Sequence, residues 1–148
     1  MIRDALNIAK IHLDRLQKAK REIEIKNIDT MDLEDFENVK LVDTFIFRFM
    51  KLQDFMGERL FKAFLMKTGD FRDNMSFIDI LDKLEKLEII DSTEEWVKIR
   101  QLRNKIAHEY PDEQEEIIND IKEAIKKVDY LAKVYKNIKD FLIKRRLL

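Results

Sequence analysis

The chain has 148 residues, enough for one domain with a real core, and 40% of them are charged against 45% hydrophobic. Its formal net charge of −1 gives no global field for nucleic acid, so any RNA contact must come from a local patch. The absence of cysteine excludes disulfides, thiol catalysis and thiolate metal sites, and two histidines cannot form a histidine zinc site without carboxylates or a second chain.

Two glycines and one proline amid abundant Lys, Glu, Ile and Leu predict an all-α protein. No apolar run approaches the length of a membrane span. Met1-Ile2-Arg3-Asp4-Ala5 runs straight into an amphipathic pattern with no secretory signal, so a soluble cytoplasmic protein is expected. Residues 1–148 read as one domain without repeat, linker or low-complexity segment.

Residues 1–26 carry Ile2, Leu6, Ala9, Leu13, Leu16 and Ile23 at spacings of three, four and seven, an amphipathic helix. His12 reads as a solvated surface residue beside Lys10 and Asp14. After a break at residues 27–30, where Asp29 or Thr30 is suited to an N-cap, a long central helix is predicted over 31–67. Its apolar residues from Leu41 onward cover more than one face, and eight of the ten phenylalanines fall between Phe36 and Phe71. Such a helix is surrounded, at the bundle's centre or at a subunit interface. Gly57 in its interior costs about 1 kcal/mol relative to Ala, which points to a close backbone neighbour. Arg48, Gln53 and Asp54 interrupt the apolar zone, either as a half-buried polar network or as the wall of a site.

Gly69 suits a left-handed cap after Thr68, and Ser76 caps a shorter helix carrying Phe77, Ile80, Leu81, Leu84 and Leu87. Ser92-Thr93-Glu94-Glu95 reads as a capping box opening the helix with Trp96, Ile99, Leu102 and Ile106. Pro111 disfavours helical geometry at Tyr110 and stops that helix near there. The last helix is expected from about Pro111–Asp112 towards Leu148, acidic at its start and basic at its end. Its Lys139, Lys144, Arg145 and Arg146 complement the helix dipole or contribute to RNA binding. The sum is an antiparallel bundle of about five helices.

The chemistry-bearing stretch is Arg103-Asn104-Lys105-Ile106-Ala107-His108-Glu109-Tyr110-Pro111. On an ideal helix Arg103 lies about 40° from Ile99 and about 60° from Ile106, at the border of the buried face, whereas His108 is about 140° away from Arg103. The two do not point at one spot. Either the helix distorts before Pro111, or the working site spans two helices or two subunits. An imidazole in a last helical turn can remove a ribose 2′-hydroxyl proton, and a neighbouring guanidinium can hold the phosphate's developing charge. Asn104 would position either group. Taken alone, the pair also reads as a capping histidine and a structural, salt-bridged arginine.

Leu102-Arg103-Asn104-x3-His108-x-Tyr110 resembles the RNase motif of HEPN domains, and the x-Tyr extension is similar to the HepT-type toxins. Phe47-Arg48-Phe49-Met50-Lys51-Leu52-Gln53-Asp54-x2-Gly57 and Trp96-x6-Arg103 resemble the same family over roughly residues 40–140. The resemblance implies a homodimer in which Arg103 and His108 cut RNA without metal or cofactor, supported by Asn104, Arg48 and Asp54. It also implies a minimal nucleotidyltransferase antitoxin, in a type VII-like toxin–antitoxin module, that transfers AMP onto Tyr110. A second expectation is a non-catalytic partner presenting a target to the transferase, and a third a purely structural helical protein.

Overall fold

A computed structural model describes residues 1–108 and 114–148. The apolar stripe of the first segment becomes helix α1, Ile2–Ile25, which buries Ile2, Leu6, Ala9, Leu13, Leu16 and Ile23 together with Ala5 and Ala19. Neither Asp29 nor Thr30 caps the next helix. Both lie in a 3₁₀ turn, Ile28–Thr30, whose Asp29 N–H donates to the Asn27 side chain at 3.2 Å. Residues 31–35 are not helical either. The Glu34 N–H donates to the Asp32 carboxylate at 2.9 Å, and the Asn38 amide donates to the Asp32 carbonyl, also at 2.9 Å. These local bonds compete with helical ones. The cap is Asp35, whose carboxylate accepts from the Glu37 N–H at 3.0 Å.

From that cap the chain runs through α2, Phe36–Phe55, a π turn, Met56–Leu60, and α3, Phe61–Thr68. The junction residues keep right-handed helical dihedrals, so the three segments form one continuous helix. It ends at Gly69 with φ 84°, a conformation that favours glycine. Helix α4, Phe77–Lys86, opens with a complete capping box between Ser76 and Asp79. Helix α5, Thr93–Ala107, opens with half of one: the Glu95 N–H donates to Ser92 Oγ at 3.0 Å. The Glu95 carboxylate instead accepts from Lys127 at 2.8 Å, so the expected reciprocal bond to Ser92 is replaced by a tie to the last helix. That helix, α6, spans Gln114–Lys144.

Counting α2 to α3 as one, five helices form the bundle, with no strand among the described residues. The directions follow from paired contacts. His12 faces Phe55, and residues near Ile25 meet Glu37 and Leu41, so α1 and α2 run antiparallel. Trp96 meets Phe61 and Arg103 meets Asp54, so α5 is antiparallel to α2–α3. Glu95 pairs with Lys127 and Lys105 with Asp120, so α6 is antiparallel to α5. Phe45, Phe49, Leu52, Met56, Leu60, Phe61, Phe64 and Leu65 are completely buried inside the protomer, as the surrounded-helix reading expects. Much of the apolar surplus that pointed to a second subunit is therefore consumed within one chain, although Phe36 and Phe47 remain exposed. Among the described residues no helix is long and apolar enough to cross a membrane.

At Gly57 the atoms nearest the missing side chain are not the close backbone neighbour that its position implied. The three atoms nearest an added Cβ all belong to side chains, Gln53 Nε2 at 3.6 Å, Phe77 Cζ at 3.7 Å and Trp96 Nε1 at 3.8 Å. Those are ordinary contact distances, so Gly57→Ala should stabilise the chain by about 0.5–1 kcal/mol through helix propensity. Urea unfolding of the variant measures this, and a loss of stability would show that these neighbours cannot give way.

Candidate functional site

Arg103 sits on the face of α5 turned towards the end of α2. Its Nε and Nη2 donate to Asp54 Oδ1 and Oδ2, both at 2.8 Å, a bidentate clamp between the two helices. Nη1 donates to the Asn104 side chain at 3.3 Å. Three of the guanidinium's five N–H groups are thereby engaged among the described residues, and two remain for an anion. The hydrogen bonds it donates to Asp54 hold the Arg103 pKa above its ordinary value against the opposing effect of burial, with further support from the charges of Asp54 and Glu58. The cation is fixed in both charge and direction.

The groove in front of it has a volume of about 530 Å³ and is lined by Gln53, Asp54, Gly57, Glu58, Lys62, Phe77, Ile80, Arg100, Arg103 and Asn104. Arg100 and Lys62 add two cations to Arg103, so this wall carries three positive side chains against Asp54 and Glu58. Arg100 is held over the Phe77 ring at 5.0 Å. The π turn begins two residues after Asp54 and carries Gly57 and Glu58 into the same wall, a local irregularity of a kind common at functional sites.

His108 is elsewhere. Helix α5 ends at Ala107, and His108 is its C-cap rather than a member of the last helical turn, with extended dihedrals of φ −78° and ψ 147°. Its N–H still donates to the Lys105 carbonyl at 3.2 Å. It lines a second groove, of about 490 Å³, with Leu33, Glu34, Val42, Asp43, Ile46, Ile106 and Asp120. Arg103 and His108 thus face grooves on different sides of α5, as their angular separation requires. Tyr110 and the expected start of the last helix at Pro111–Asp112 lie outside the described residues.

Comparison with protein-family models, curated proteins and solved structures finds no match. The family likeness therefore rests on the residues of the motif and on their helical setting.

Of the supporting residues, Asp54 and Asn104 join Arg103, and Gln53 joins them in the groove wall. Arg48 does not. It lies six residues before Asp54 on α2, about 120° around the helix, with its guanidinium over the Phe47 ring at 5.1 Å. There it faces His12 on α1, which is not the solvated residue expected. The His12 ring packs 5.8 Å from that of Phe55, and its Nδ1 is buried with no hydrogen-bond partner among the described residues. Burial first, then the charges of Arg48, Lys51 and Arg15, push its pKa below the ordinary 6.5.

Folding therefore favours neutral His12. Its contribution to stability is complete above pH 6.5 and is lost as pH falls from there towards the lowered value, because the unfolded chain takes up the proton first. Melting temperatures between pH 5 and 8 should fall on acidification more steeply for the wild type than for His12→Gln. Parallel curves would contradict this placement of the ring.

Proposed function

We propose that this chain is a metal-independent endoribonuclease toxin of a type VII-like toxin–antitoxin module, acting as a homodimer in which Arg103 and His108 cut RNA. The observation that supports it most is the clamp: Asp54 fixes the Arg103 guanidinium at an open, cation-lined groove and leaves two of its N–H groups for a phosphate. In the proposed reaction His108 takes the proton from a ribose 2′-hydroxyl. The 2′-oxygen then bonds to phosphorus as the bond from phosphorus to the 5′-oxygen breaks, giving a 2′,3′-cyclic phosphate and a 5′-oxygen that takes a proton from water. Arg103 stabilises the charge that builds on the phosphoryl oxygens. Because the two residues face different grooves of one protomer, the reading pairs Arg103 of one copy with His108 of the other across a shared cleft.

The proposed antitoxin is a minimal nucleotidyltransferase that joins AMP from ATP to the Tyr110 hydroxyl, with pyrophosphate leaving. Phosphate and adenine bulk at Tyr110 would obstruct an RNA backbone approaching the motif. Intact-mass measurement after co-expression with the transferase tests this step. AMP additions are expected on the wild type and none on Tyr110→Phe, which should keep its toxicity. Additions persisting in Tyr110→Phe would move the modification elsewhere.

A second reading is favoured by the same clamp. An arginine engaged by Asp54 and a histidine turned to another groove suit a non-catalytic partner that presents a substrate to the transferase. Loss of toxicity on Arg103→Ala separates the two, since a presenting subunit needs no cleavage.

A further inference from the structure

We propose that the groove on the His108 side of α5 is a nucleobase site in which Asp120 accepts hydrogen bonds from the N–H donors of guanine. The inference rests on the RNA-cleaving reading for why a base would arrive there, but its geometry is independent of Arg103.

Asp120 lies on the apolar stripe of α6, between Ile117 and Ile121, and is only 6% exposed. Its Oδ1 pairs with Lys105 at 3.0 Å, while its Oδ2 is buried with no hydrogen-bond partner among the described residues. Native structures rarely leave a buried carboxylate oxygen in that condition. Lys105 already balances the charge, so Oδ2 lacks a neutral donor rather than a second cation. The surrounding groove is floored by Leu33, Val42, Ile46, Ile106 and Ile117, with Glu34 and Asp43 at its rim. An apolar floor with a few placed polar groups suits a flat ring, and its volume of about 490 Å³ is that of a small-ligand site. The three carboxylates repel phosphate from the base end of the groove, so the scissile phosphate beside His108 falls to the Arg103 groove of the second copy in the proposed dimer.

Guanine satisfies this site best. Its adjacent N1–H and N2–H groups match a carboxylate edge, which reaches them by turning about the Asp120 Cβ–Cγ bond. Uracil offers one N–H flanked by two carbonyls, which a carboxylate repels. His108, on the wall of the same groove, would then meet the ribose of the bound nucleotide, and cleavage would follow guanosine.

The test uses the wild-type chain with guanosine and uridine, followed by calorimetry and by the methyl NMR signals of Ile46, Ile106 and Ile117. Guanosine should bind at least about tenfold more tightly than uridine and shift those methyls. Asp120→Asn, which keeps the side-chain shape, should erase the preference. Ile46→Trp, which fills the groove from the α2 wall, should abolish binding and decides the matter if the Asn variant does not fold. Equal affinities, shifts elsewhere, binding unaffected by Ile46→Trp, or occupancy of these methyls by oligolysine but not by guanosine would each overturn the site. Nucleosides contain no phosphodiester, so the two readings fail separately. Guanosine binding without RNA cleavage overturns the nuclease alone, and cleavage with equal nucleoside affinities overturns the base site alone.

Discussion

Arg103→Ala is expected to lower RNA cleavage by about a hundredfold to a thousandfold, the usual cost of removing one preorganised group that stabilises transition-state charge. Part of such a loss could come from structure, because the substitution also strands the Asp54 carboxylate at the groove. The half-exposed clamp itself is worth only on the order of 1 kcal/mol of stability. The double variant Arg103→Ala with Asp54→Ala removes the stranded charge. It should regain stability but not activity. Arg103→Lys should rescue poorly, since an ammonium cannot hold Asp54 bidentately and still present two N–H groups to a phosphate. Measured rates for the three variants, set beside their urea midpoints, separate a catalytic arginine from a structural one. Recovery of cleavage in the double variant would mark Arg103 as merely a bridge between α2 and α5.

The largest effect on stability should come from Trp96. Its ring is fully buried, meets Phe61 edge-on at 4.6 Å and lies 3.8 Å from where a Gly57 Cβ would stand. Trp96→Ala leaves a cavity between α5 and the π turn and should cost about 3–5 kcal/mol. That is a large share of the 5–15 kcal/mol (roughly) that holds a domain together. Trp96→Phe should cost clearly less. It keeps an aromatic contact with Phe61 and removes an indole N–H that has no hydrogen-bond partner among the described residues. Denaturant midpoints of the two variants measure the difference. Equal losses would mean that neither the retained ring volume nor its contact with Phe61 has value here, and would contradict this account of the position.

Much of this fold was legible because its signals are local. The 3–4 spacing in α1, the Ser76 cap with Asp79 three residues on, and Gly69 at a left-handed position each depend on a few neighbouring residues. The start of α2 was misplaced because Asn27, Asp32, Asp35 and Asn38 offer several competing caps, and only tertiary context selects Asp35. The π turn left no trace beyond Gly57, whose role depends on Phe77 and Trp96 arriving from distant segments.

The candidate site divides in the same way. The angular split between Arg103 and His108 follows from residue count, and the structure places them on different grooves accordingly. The Asp54 partnership needed two helices to be docked, so sequence could offer Asp54 only as a polar interruption. Arg48 was grouped with it by proximity in sequence, although about 120° of helix separates them. Two signals were present, one misread and one passed over. His12 stands three residues after Ala9 and four before Leu16, at the edge of the buried stripe. Asp120 stands four before Ala124 and three after Ile117, a carboxylate at an apolar position.

The most direct test of the account is cleavage of a single-stranded RNA by the purified chain in excess EDTA, comparing wild type with His108→Ala. The wild type should cut at an undiminished rate with the chelator present. His108→Ala should be slower by a hundredfold to ten-thousandfold (roughly), the range expected for a lost general base. Cleavage that EDTA abolishes, or that His108→Ala leaves intact, would contradict it.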